Sequence, residues 1–88
     1  DLHDDYEASY VGRSDAYSTL GQYEKALADA MRAIELDPDD PFGYSNRATA
    51  YLGLGMRERA IADARTTITL GGQLDACVEN LLKEVAGD

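Results

Sequence analysis

Tyr10 to Leu36 reads YVGRSDAYSTLGQYEKALADAMRAIEL, and Tyr44 to Leu70 reads YSNRATAYLGLGMRERAIADARTTITL. One lies on the other after a shift of 34 residues without a gap, and residues 7–40 laid on 41–74 give 13 identities in 34 positions. Tyr10, Arg13, Ala16, Tyr17, Leu20 and Gly21 fall on Tyr44, Arg47, Ala50, Tyr51, Leu54 and Gly55. Glu24, Ala26, Ala28, Asp29, Ala30, Ile34 and Leu36 fall on Glu58, Ala60, Ala62, Asp63, Ala64, Ile68 and Leu70. Self-similarity at this period marks an architecture of stacked supersecondary units, each too small to bury its own apolar face.

Punctuation splits each unit into two helices. Asp4 or Asp5 can cap the first, whose apolar stripe Tyr6, Tyr10, Tyr17 and Leu20 ends at Gly21, a residue that tolerates the left-handed conformation. Glu24 opens a second helix carrying Ala26, Leu27, Ala30, Ala33 and Ile34, and Pro38 cannot continue it. Asp40-Pro41 is a restart, an N-cap carboxylate followed by a proline where the missing N–H costs nothing. The third helix runs through Tyr44, Ala48, Tyr51 and Leu54 to Gly55. The fourth uses Ala60, Ile61, Ala64, Ile68 and Leu70 and stops at Gly71-Gly72. A fifth sets Leu74, Val78, Leu81, Leu82 and Val85 against Asp75, Glu79, Lys83 and Glu84, and reads as a lid over the last pair.

The expected fold is therefore all-α: five helices in one domain, with repeat one at 7–40, repeat two at 41–74 and a capping helix at 75–86. Ser14 and Ala48 facing Ala26 and Ala60 let paired backbones approach closely, and the tyrosines fill the space beside that contact. Cys77, next to Val78 and four residues before Leu81, is expected as a buried thiol.

The segments Gly21 to Ala30, Ala33 to Pro38, Tyr44 to Gly55 and Ala60 to Ala64 together resemble the tetratricopeptide-repeat family over about residues 7–74. The departures are Arg13 and Arg47 in place of a leucine, Ala30 and Ala64 in place of a large aromatic, and Gly71-Gly72 in place of an Asp-Pro exit. The resemblance implies a right-handed superhelical stack of antiparallel helix pairs. It also implies a module that binds a peptide or helix of a partner protein in a concave groove, without catalysis or cofactor. The groove positions it implies are Val11, Asp15 and Ser18 in repeat one, and Ser45, Asn46, Thr49 and Leu52 in repeat two, with Glu79 and Lys83 of the cap closing one wall. The competing reading of each is a solvated helix-face residue.

Tyr44 to Ala48 is similar to the second repeat of co-chaperone domains whose basic clamp grips acidic chaperone tails. That clamp needs cations, and the corresponding places hold Val11, Asp15, Ala76 and Asn80. A neutral, apolar or basic peptide is the expected partner. With 8 Lys+Arg against 17 Asp+Glu and a net charge of −9, the chain would steer a basic partner and is a poor match for nucleic acid.

Other chemistry finds little footing. His3 is the sole histidine, so a histidine-dependent triad would rely on the N-terminus; with Asp1 as a free amine it could form a copper-type nitrogen set, against the plainer reading of an incidental histidine. Asp37-Pro38-Asp39-Asp40 starts like a calcium loop, but Ala48 stands where the bidentate glutamate belongs. Gly53-Leu54-Gly55 is followed by Met56-Arg57-Glu58 rather than by a phosphate-binding lysine. Tyr51 to Met56, a stretch free of strongly polar side chains, is too short to span a membrane. One cysteine forms no internal disulfide, which favours a reducing, cytoplasmic setting. A start at Asp1 suggests a piece of a longer protein, the module serving a neighbouring domain. Two repeats bury little by themselves, so self-association through repeat edges is the alternative function.

Overall fold

Asp40 accepts the amide hydrogen of Phe42 at 3.0 Å through Oδ1, with Pro41 as the first helical residue, so the restart read from the sequence is where the second helix pair begins. The computed structural model describes the backbone of residues 2–86 and the side chains of residues 8–85. Its elements are α1 Leu2–Thr19, α2 Tyr23–Leu36, α3 Pro41–Gly53, α4 Arg57–Thr69 and α5 Ala76–Ala86. No strand occurs among the described residues. Because α1 begins at Leu2, Asp4 and Asp5 stand within its first turns rather than ahead of it. Their side chains, with those of Asp1, His3 and Tyr6, lie outside the described residues.

The helix ends follow from chemistry repeated along the chain. Gly21, Gly55 and Gly71 all have positive φ, near +80°. In each case the next residue donates its N–H to a carbonyl five residues back: Gln22 to Tyr17 at 2.8 Å, Met56 to Tyr51 at 2.8 Å and Gly72 to Thr67 at 2.9 Å. The glycine itself donates three residues back, to Ser18, Leu52 and Ile68. These are Schellman closures that satisfy orphan carbonyls, and they need a residue without a Cβ penalty at positive φ. α2 ends instead at Leu36, where Asp37 N donates to Ala33 O at 2.9 Å ahead of Pro38.

α1 pairs with α2, α3 with α4, and α3 also lies along α2, so the helices stack in chain order into a body of 44 × 26 × 17 Å. The core is made of small residues: Ala26, Ala30, Ala33, Ala48, Ala60 and Ala64 are buried, joined by Tyr51, Val78 and Leu81. Ser14, fully buried in α1, donates to the carbonyl of Ala26 at 2.8 Å, a bond that joins the two helices of the first pair. Val78 packs with Ala48 and Ala64, and Leu81 with Tyr51 and Ala60, so α5 covers the last pair as a lid.

Four side chains depart from expectation. Leu20 is 69% exposed, because the Schellman turn at Gly21 swings it outward at the end of its helix. Ile68 and Leu70 sit at the corresponding end of α4 and are also exposed. Cys77 is exposed rather than buried. α5 turns Val78 and Leu81 inward, and the neighbouring position is rotated about 100° around the helix from Val78.

Candidate functional site

The residues that position the groove are themselves tied together. Asn46 Nδ2 on α3 donates to the carbonyl of Val11 on α1 at 3.0 Å, a side-chain tether between the first helices of the two pairs. Ser45 Oγ donates to the carbonyl of Gln73 at 3.3 Å, and Thr49 Oγ1 donates to Asp75 Oδ2 at 2.8 Å. These two bonds fasten the 73–75 segment, ahead of α5, along α3. Between α1, α3 and that segment lies an open groove of about 380 Å³, lined by Val11, Gly12, Asp15, Phe42, Ser45, Asn46, Gln73, Leu74 and Asp75.

Of the nine positions implied by resemblance, four meet in this groove: Val11, Asp15, Ser45 and Asn46. Thr49 stands at its edge through Asp75. Leu52 is partly buried and packs on both core clusters around Ala48 and Tyr51. Ser18 is half-buried, and its hydroxyl has no hydrogen-bond partner among the described residues. Glu79 and Lys83 pair with each other at 3.4 Å and line a second cleft, of about 530 Å³, with Ile68, Gly72, Leu74 and Leu82. Phe42, 59% exposed, and Asp75 are groove residues that the sequence reading passed over. Both stand at a helix start, Phe42 just behind the Asp-Pro restart and Asp75 at the head of the polar face of the capping helix, and neither position by itself marks a groove.

Most of the cations are engaged elsewhere. Arg13 holds Asp29 through two bonds, Nε to Oδ2 at 2.7 Å and Nη2 to Oδ1 at 2.8 Å. Arg47 holds Asp63 in the same way, at 2.7 and 2.9 Å. Both guanidiniums are raised above the ordinary arginine pKa, first by these hydrogen bonds and further by the carboxylate charge; burial of Arg47 works in the opposite direction. Arg13 also lies over the Tyr10 ring, and Arg47 over Tyr44 and Tyr51, each within 5.8 Å. The signal for these pairs is present in the sequence, since arginine and aspartate both recur at the same shift. Arg32 pairs with Glu35 and Arg57 with Glu84, while Lys25 and Arg59 lie over the rings of Tyr17 and Tyr51. None of the eight Lys and Arg residues lines the groove.

Among the described residues no group of three or more His, Cys, Asp or Glu could hold a metal ion, and no helix is long and apolar enough to cross a membrane. A search of curated proteins finds no match. A family model described as TPR repeat matches residues 15–55, which run from the middle of α1 to the Schellman glycine after α3. That span holds the α1 to α2 turn, the whole of α2, the Asp-Pro restart and the whole of α3. Residues 15–55 are a tetratricopeptide-repeat segment, and the all-helical, five-helix chain around them fits a tetratricopeptide-repeat-like fold.

Proposed function

We propose that the chain is an adaptor or scaffold module that takes an extended peptide or a helix of a partner protein into the groove between α1, α3 and the 73–75 segment. The observation that carries this reading is the groove itself, which has a tethered polar wall and an exposed aromatic, Phe42, at its lip. Exposed aromatics beside fixed polar groups are what peptide recognition uses for anchoring. The reading takes residues 7–40 and 41–74 as the repeat units, 75–86 as their cap and the cytoplasm as the setting. It is non-enzymatic, as is usual for the family. A co-chaperone-like role fits only as partner presentation, because the groove holds no cations for a carboxylate clamp.

Binding to a peptide array, repeated with Phe42→Ser, tests the groove. Bound peptides should lose most of their signal with the variant, and an unchanged binding pattern would retire the assignment. Asn46→Ala is the weaker probe, because it also cuts the α1 to α3 tether.

A second reading, self-association, has its own support. The end of α4 leaves Ile68 54% exposed beside the second cleft, an apolar surface that another copy could cover.

A further inference from the structure

The geometry points to a basic segment as the partner of this groove, with an Arg or Lys side chain received by Asp15 and Asp75 and a neighbouring apolar residue laid on Phe42, Val11 and Leu74. This rests on the groove reading above and deepens it. The first support is an inventory of donors and acceptors along the wall. The hydroxyl hydrogens of Ser45 and Thr49 are spent on Gln73 and Asp75, and one amide hydrogen of Asn46 is spent on Val11. The carboxylate of Asp15 has no hydrogen-bond or ion-pair partner among the described residues, and Asp75 is engaged only at Oδ2. Apart from the side-chain amides of Gln73 and Asn46, which can both donate and accept, what the wall offers is carboxylate oxygen, and the ligand side chain that supplies several donors and accepts nothing is an ammonium or a guanidinium.

The second support is where the cations went. Arg13 and Arg47 come from the two helices that flank the groove, yet both are turned onto α2 and α4 by Asp29 and Asp63. A carboxylate-bearing peptide would therefore meet two like charges and no counter-ion here, while a basic one meets complementary charge and is drawn in by the −9 of the whole chain. The apolar neighbours Val11, Phe42 and Leu74 give the same segment a place for one uncharged side chain.

Selection from a displayed random-peptide library on the whole chain tests this. The enriched sequences should carry Arg or Lys next to an apolar residue, and the affinity of the resulting consensus peptide, measured by fluorescence anisotropy, should fall about fivefold or more in Asp15→Asn/Asp75→Asn. That variant keeps an N-cap side chain before α5 and an acceptor for Thr49, and far-UV circular dichroism with a thermal melt checks its fold. Glu24→Gln/Glu58→Gln removes the same charge from exposed positions outside the groove and should leave the affinity within about twofold, which separates local pairing from long-range steering. Acidic or charge-indifferent consensus peptides that are lost on Phe42→Ser but not on Asp15→Asn/Asp75→Asn overturn the charge assignment and leave the groove standing. Binding indifferent to all of these substitutions, or no enrichment at all, overturns both.

Discussion

Arg13 and Arg47 occupy positions where the repeat ordinarily carries a leucine, and each solves the same problem by a different means. A leucine there would fill space between the paired helices; the arginine instead bridges to an aspartate on the second helix with two parallel hydrogen bonds and lays its stem against tyrosine rings. The two bridges differ in exposure: the Arg47 side chain is 23% exposed and that of Arg13 is 58% exposed, against aspartates that are both nearly buried. Asp63→Asn should therefore cost about 1–3 kcal/mol by urea denaturation, because it strands a partly buried guanidinium. Asp29→Asn should cost less, since water can replace its partner, and equal losses would show that exposure does not set the strength of these bridges. Pairing raises the arginine pKa, so its contribution is complete below the ordinary arginine value and is lost only as pH climbs through the still higher folded value. The arginine side of the pairs thus stays formed across the neutral range.

Helix packing between the repeats depends on glycine in a way the helical pattern does not advertise. A Cβ at Gly53, near the end of α3, would run into the Tyr23 ring of α2, and one at Gly43 would meet Ile34 Cγ1 at 2.8 Å. On propensity alone Gly53→Ala should stabilise α3 by about 1 kcal/mol. Packing predicts the reverse: a loss of about 1–3 kcal/mol, since the clash falls on the ring rather than on a flexible chain end. The thermal melt should recover when Tyr23→Ala is combined with it, and a melt unchanged by Gly53→Ala alone would show that the ring is free to move. The same comparison accounts for the fifth helix. The residue one repeat beyond Gly43 is Cys77, and the one beyond Ile34 is Ile68. A side chain at the first of these positions is incompatible with the close approach made between α3 and α2, and at this junction Cys77 and Ile68 are both exposed.

At the scale of the molecule, an elongated stack with alanine-rich contacts leaves one end of α4 open beside Leu74 and Leu82. If the groove is the working surface, the 9.6 kDa chain should sediment as a monomer over a wide concentration range. A mass that rises with concentration and returns to the monomer value in Ile68→Ser would move the function to self-association through this cleft.

The repeat, the five helices, their Gly and Asp-Pro boundaries and the small-residue contacts were legible in the linear chain, because a 34-residue period, apolar spacing and turn chemistry are local properties. The groove was legible only in part. Val11, Asp15, Ser45 and Asn46 do meet, but Asn46 is committed to a backbone carbonyl, and Phe42 and Asp75 join from positions that read as helix starts. The sequence by itself determined that helices form, where each stops and that they pair by repetition. Only the tertiary structure decided which arginine faces which aspartate, that the groove wall keeps carboxylates and loses its cations, and that Cys77 lies outside. Those outcomes depend on how helices distant in sequence rotate and tilt against one another, and that is set by contacts such as the Tyr23 ring against Gly53 that no single segment contains.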